Sequence, residues 1–238
     1  MHYLFLDESY HDVIAGRTIV IAAWAAEQRR LNDRVLRLHE LLKPGKASIL
    51  ERLDSALESL DALALVAWAT LDESLFRYGE RDGTDDIKDM GRPDNIWSVS
   101  IGFAVASLIV QLTLMRQHID IDTVDVYFDP KSLKRDHATA LEKVLRDNVV
   151  SEARRYGAQR GVNLLKNLKI RRIQPVKKPK NDEAPDKFQM GTWVSDRLCS
   201  KSDEIRETGG TSRIKTHDMS DVVKRTVQPF DGKSFYDS

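Results

Sequence analysis

Two stretches of the chain place carboxylates where an apolar run stops. Tyr3-Leu4-Phe5-Leu6 leads directly into Asp7-Glu8-Ser9, and Val126-Tyr127-Phe128 leads into Asp129. Side chains alternate along a strand, so Tyr3, Phe5 and Asp7 share one face while Leu4, Leu6 and Glu8 share the other. Apolar residues on both faces mark a strand covered on both sides, in the interior of a sheet. If the two strands are parallel neighbours, their C-terminal ends bring Asp7 and Asp129 together, where open sheets carry their active sites. Adjacent carboxylates repel unless a cation or a shared proton joins them. Mg²⁺ or Mn²⁺ would join them, because both take oxygen ligands. A pair of such ions also clamps the attacking and leaving oxygens of a phosphodiester. The plainer explanation is that each aspartate opens a polar turn, as aspartate does at many strand ends.

The elements that must position these residues follow from periodicity and punctuation. The first strand is expected to stop at Asp7, with Tyr10–Gly16 as a polar loop leading to a second strand over Thr18–Trp24 in an antiparallel hairpin. Leu31, Val35, Leu38 and Leu42 predict a helix over Gln28–Leu42, ended by Pro44 and Gly45. Ser48 and Glu51 form a capping box for a further helix carrying Leu50, Leu53, Leu57 and Leu60. A third strand is expected over Leu63–Thr70. Arg77–Asp94, with Gly79, Gly83, Gly91 and Pro93, reads as a mobile loop and a candidate lid. An apolar helix over Ile96–His118 precedes the strand Thr123–Asp129. A charged amphipathic helix follows over Lys134–Tyr156, resting on Leu141, Val144, Leu145 and Val149. A fifth strand over Leu168–Ile173, a basic loop over Pro175–Pro185 and a last helix over Lys187–Lys201 complete the folded part. The order predicts an α/β mixed five-stranded sheet flanked by helices, with a helical insertion. The domain is expected over residues 1–201, with residues 202–238 as a polar C-terminal tail.

Composition narrows the function classes. In 238 residues, hydrophobic types make up 41% and charged types 31%, enough apolar material for a full core. The formal net charge is +0, so no global field attracts nucleic acid or a membrane, and any nucleic-acid site must be a local patch. The densest basic stretch holds Lys166, Lys169, Arg171, Arg172, Lys177, Lys178 and Lys180. It reads either as a track for a phosphate backbone or as a lysine-guarded edge strand. A single cysteine, Cys199, excludes an internal disulfide and a cysteine-cluster zinc site, and it fits a reducing cytoplasm. No signal peptide is expected. Ile96–Met115 is uncharged and long enough to span a bilayer. The polar residues recurring through it, Ser98, Ser100, Ser107, Gln111 and Thr113, favour a buried helix lying across a sheet.

The opening Tyr3-Leu4-Phe5-Leu6-Asp7-Glu8-Ser9 resembles the signature of a bacterial family, domain of unknown function 3800, assigned to the ribonuclease H-like superfamily. Glu40-Leu41-Leu42-Lys43 is similar to that family's Glu-Leu-Lys element, and Val126-Tyr127-Phe128-Asp129 to its strand ending in Asp. Lys187-Phe188-Gln189-Met190-Gly191-Thr192-Trp193-Val194 resembles its closing helix. The resemblance spans roughly residues 1 to 200. It implies a ribonuclease H-like sheet and a divalent-metal-dependent nuclease, with Asp7 bridging Mg²⁺ or Mn²⁺ ions and Asp129 and Glu40 joining it. Where the family's helix carries an acid, this chain has Thr192. Asp196, one turn later, is the expected substitute, with Asp186 as the other candidate. The alternative reading is a non-catalytic nucleic-acid-binding or protein-interaction module that retains the fold without a complete acidic site.

Other residues carry less. His11-Asp12 and His217-Asp218 read as loop residues, because no second histidine motif at ligand spacing accompanies either. His39 is a candidate proton shuttle or a helix-surface histidine. Ser9 reads as a turn residue and Cys199 as a small hydrophobe. Trp24, Trp68, Trp97 and Trp193 are expected in the core. No Gly-rich phosphate loop or dinucleotide fingerprint is present.

Overall fold

The structure, a computed structural model, describes residues 1–13, 16–32, 34, 38, 48–72, 93–117, 120–129, 141–177 and 185–227. Its strands are β1 (His2–Val13), β2 (Gly16–Glu27), β3 (Leu63–Asp72), β4 (Thr123–Phe128), β5 (Lys169–Pro175) and β6 (Ile214–Asp218). They form one sheet in the order β5-β4-β1-β2-β3-β6. β1, β2 and β3 are antiparallel neighbours, whereas β4 runs parallel to β1, β5 to β4 and β6 to β3. The apolar run Tyr3–Leu6 is buried on both faces at the middle of this sheet, as its composition requires.

The two faces are covered differently. Leu4, Leu6, Ile19, Ile21 and Val126 face an aliphatic core with the helices α2 (Pro93–Met115), α3 (Val149–Gln159) and α6 (Ser220–Val227). Tyr3, Phe5, Trp24 and Tyr127 face an aromatic-rich core with α1 (Ile49–Ser59), α4 (Lys187–Ser200) and α5 (Ser202–Thr208). Ser48 caps α1 as expected, its hydroxyl accepting from the Glu51 amide at 3.1 Å while the Glu51 carboxylate accepts from the Ser48 amide at 2.8 Å. Of the expected helix over Gln28–Leu42, residues 28–32, 34 and 38 are described and helical.

Three expectations change. First, β1 does not stop at Asp7. It continues to Val13 because the antiparallel ladder to β2 carries on through Ser9↔Val20, Tyr10↔Ile19 and His11↔Thr18, and backbone pairing is indifferent to side-chain polarity. Ser9 and His11 are thus strand residues. The hairpin returns at Gly16, where a Cβ would stand 2.0 Å from the Leu71 carbonyl oxygen, so only glycine lets β2 approach β3 there.

Second, residues 202–227 are not a polar tail. They add α5, β6 and α6, which bury Ile205, Ile214, Met219 and Val223, and the sheet has six strands rather than five. His217 and Asp218 lie on β6, and the Asp218 carboxylate accepts from the Ser220 amide at 2.9 Å. Third, Trp68 and Trp193 are half-buried rather than core, each with a guanidinium over its ring (Arg206 and Arg197, respectively). Trp24 and Trp97 are buried as expected.

The apolar helix α2 lies inside the fold, between the sheet and the helices α3 and α6. Its polar groups are satisfied along the helix: Ser100 donates to the Ile96 carbonyl at 2.7 Å and Thr113 to the Ile109 carbonyl at 2.9 Å. A core helix therefore accounts for its composition. Apart from its last residues, which open α2, the expected loop Arg77–Asp94 lies outside the described residues.

Candidate metal centre at the β1–β4 junction

The parallel ladder between β1 and β4 runs in strict register from His2↔Val124 to Leu6↔Phe128 and then ends. One further step in that register sets Asp7 opposite Asp129, on strands spaced about 4.8 Å apart. Paired residues of neighbouring strands point to the same face, so the row Tyr3↔Asp125, Phe5↔Tyr127 continues into the two aspartates. Both carboxylates therefore belong to the α4 face of the sheet. Asp7 is fully buried and Asp129 half-buried.

Helix α4 crosses this row. Its N-terminus is capped by Asp186, whose carboxylate accepts from the Phe188 and Gln189 amides at 2.8 Å each. One oxygen of that carboxylate, Oδ1, is committed to the helix end. Phe188 stacks on Tyr127 with ring centroids 4.4 Å apart. Gly191 lies so close over Phe5 that a Cβ would meet its ring at 2.1 Å, and the Gly191 carbonyl accepts from the Trp24 indole at 2.8 Å. Two turns on, the Cys199 thiol reaches the backbone carbonyl of Asp7 at 3.4 Å. Asp196 is one turn before Cys199 and half-buried, which brings it to the Asp7 end of the helix. Thr192 donates back to the Phe188 and Gln189 carbonyls at 3.3 and 3.1 Å, so its hydroxyl serves the helix backbone. Ser195 is fully buried, and its hydroxyl has no hydrogen-bond partner among the described residues.

Sequence reading passed over Asp125, a third carboxylate on the same face. It is 1% exposed and takes a bidentate hydrogen bond from Arg171, at 2.9 and 2.6 Å. The geometry comes from a bulge: Val124 pairs Ile170 but Asp125 pairs Arg172, leaving Arg171 as the extra residue. The signal was present in Ile170 and Ile173, which both pack on the aliphatic core although an unbroken strand would turn them to opposite faces. Burial, and then the Asp125 charge, raise the Tyr3 hydroxyl above its ordinary range and push Tyr127 up to about 12, so both stay protonated.

β5 is an edge strand, and Lys166, Lys169, Arg172 and Lys177 are exposed along it, whereas the Arg171 head is held by Asp125. Lys178, Lys180, Glu40 and His39 lie outside the described residues. His217 stands edge-on to Tyr156 on the opposite face of the sheet; burial and nearby Arg160 lower its pKa. Among the described residues, no group of three or more His, Cys, Asp or Glu closes on one point tightly enough to hold an ion. What the register and the helix spacing supply is Asp7 and Asp129 at the ends of adjacent strands and Asp196 one turn before Cys199. The donors of the three carboxylates are oxygens, which suits Mg²⁺ or Mn²⁺ rather than a softer metal.

No family model matches the sequence, and no curated protein matches it. Solved structures do. One is the crystal structure of the ribonuclease H2 from Pyrococcus horikoshii OT3, at 12% identity and a TM-score of 0.36, covering 88% of this chain and 76% of that one. Another is Bst-RNase HIII in complex with Mn²⁺, at 14% identity and a TM-score of 0.40, where 88% of this chain spans 56% of that one. The fold of this chain is a mixed α/β sheet with helices on both faces.

Proposed function

We propose that the protein is a divalent-metal-dependent nuclease in which Asp7 and Asp129 are the principal ligands and Asp196 a third. The observation that carries this reading is the register of β1 and β4, which, continued by one step, would set Asp7 opposite Asp129 where β4 leaves the sheet. Carboxylates brought close repel unless a cation or a shared proton joins them. Once bound there, Mg²⁺ or Mn²⁺ would polarise the phosphate and lower the pKa of the attacking water. The chain's own part is to hold the carboxylates still: β1 fixes Asp7 through its unbroken ladder to β2, and the aromatic stack of Phe5, Tyr127 and Phe188 sets the height of α4. The exposed cations Lys166, Lys169, Arg172 and Lys177 would neutralise backbone phosphates beside the centre. The same reading keeps the chain in the domain of unknown function 3800 family, with the acid of the closing helix moved one turn to Asp196.

A second reading, a nucleic-acid-binding module without catalysis, is favoured by Thr192, whose hydroxyl is spent on the helix backbone where that family carries an acid. Mixed RNA and DNA substrates incubated with Mn²⁺, beside Asp7→Asn, separate the two. Cleavage by the native chain that is lost in the variant is the expected result. Equal cleavage by both proteins ends the nuclease reading, and salt-dependent binding without cleavage selects the module.

A further inference from the structure

Ser195 is the odd residue of α4. The buried face of that helix is otherwise Met190, Gly191, Val194, Leu198 and Cys199, all lacking a strong hydrogen-bonding side chain. Ser195 is 0% exposed and its hydroxyl has no partner among the described residues. Serines in helices ordinarily satisfy themselves on a carbonyl one turn back, as Ser100 does in α2. An orphaned buried hydroxyl is costly, and alanine would both remove that cost and favour the helix. Its placement accounts for its presence. Ser195 is one turn beyond Gly191, which rests on Phe5, and one turn before Cys199, which reaches Asp7. Residues four apart share a helix face, so Ser195 sits above β1 between Phe5 and Asp7.

We infer that Ser195 is a positioning residue for Asp7, its hydroxyl donating to the Asp7 carboxylate when that carboxylate turns an oxygen to a bound divalent cation. The inference rests on the proposed metal reading and assigns this chain's own supporting group. Ligating carboxylates are commonly held by a hydrogen bond from behind, and removing such a partner weakens metal affinity about 10- to 100-fold.

The test is a Mn²⁺ titration by calorimetry of the native chain and of Ser195→Ala, with metal-free melting temperatures measured in parallel. The expected result has opposite signs: Ser195→Ala melts no lower than the native chain without metal, yet binds Mn²⁺ about tenfold or more weakly. Ser195→Thr, which keeps the hydroxyl, retains more of the affinity than the alanine variant. Unchanged affinity in Ser195→Ala overturns the inference while leaving the metal centre standing. A clear fall in the metal-free melting temperature also overturns it, because the hydroxyl would then have a structural partner. No binding by the native chain removes the metal reading itself, and this inference with it.

Discussion

The two ends of β1 treat charge in opposite ways. At its start, His2 contacts Arg116 at 2.6 Å, and Arg116, with its side chain only 9% exposed, also reaches Glu27 at 3.2 Å and Asp61 at 3.4 Å. Asp61, in a left-handed turn conformation that aspartate tolerates, takes Arg30 at 3.5 Å and Arg213 at 3.3 Å as well. Signs alternate there, so each charge lowers the energy of its neighbours. Burial alone would raise the Glu27 carboxyl, but the hydrogen bond and charge of Arg116 hold it below its ordinary range. Five residues along, where the ladder to β4 ends, the register leads toward two residues of the same sign, Asp7 and Asp129. Alternating charge at one end reads as structure. Like charge at the other is what the proposed metal centre draws on.

The strongest way to break that contrast is Asp7→Asn. A metal clamp contributes several kcal/mol to a phosphodiester transition state, or roughly 10²- to 10⁴-fold in rate. Cleavage should fall by that order. A fall in stability with unchanged cleavage would make Asp7 a structural residue and erase the difference between the ends.

The opposite end is tested by acid. Burial first, then Arg116, lower His2 from its ordinary 6.5 to about 4, so the folded protein keeps the ring neutral. Unfolded chains take up the proton between those two values, so stability is complete above pH 6.5, declines as pH falls toward 4 and is flat below. The full loss is about 3 kcal/mol. Urea melts of the native chain and His2→Gln across this window should converge as pH falls; parallel curves would mean that His2 takes up its proton at the same pH in the folded and unfolded chains.

Arg116→Met is the next step down. It takes one partner from the Glu27 and Asp61 carboxylates, which keep Arg30 and, for Asp61, Arg213; both are about one-third exposed, so the loss is limited to about 2 kcal/mol in urea denaturation. Mn²⁺ affinity should not move. If it does, the two ends are coupled and cannot be read separately.

The parallel pairing of β1 and β4 was legible in the sequence, because two apolar runs that each close on an aspartate leave few arrangements. Ser48 and Glu51 likewise announced α1 by local chemistry alone. What escaped was whatever depended on a partner elsewhere. β1 runs past Asp7 only because β2 is beside it. Ile214–Asp218 is a strand only because β3 offers an edge, and its sequence, Ile-Lys-Thr-His-Asp, has one large aliphatic residue to declare it. Asp125 looked like a surface residue of a half-buried strand until the bulge at Arg171 supplied its counter-charge. Ser195 gave no sign at all, since a serine inside an amphipathic helix is ordinary until its surroundings are known.

The smallest expected effect sharpens the contrast within two adjacent residues. Arg171 and Arg172 are neighbours on the edge strand, yet the first is locked on the buried Asp125 and the second is exposed. By the rule drawn from the two ends of β1, a cation matched within the chain is structural and one left to solvent is available to a partner. Arg172→Gln together with Lys169→Gln should therefore leave the melting temperature nearly unchanged. The same double change should flatten the salt dependence of single-stranded nucleic-acid binding by about 0.7 in log–log slope for each phosphate that is no longer neutralised. Arg171→Gln should do the reverse, lowering the melting temperature by exposing the cost of an unmatched buried carboxylate while sparing the slope. If Arg171→Gln flattens the slope as much as Arg172→Gln does, the basic edge works as an undivided field, and the distinction between matched and available charge fails on this strand.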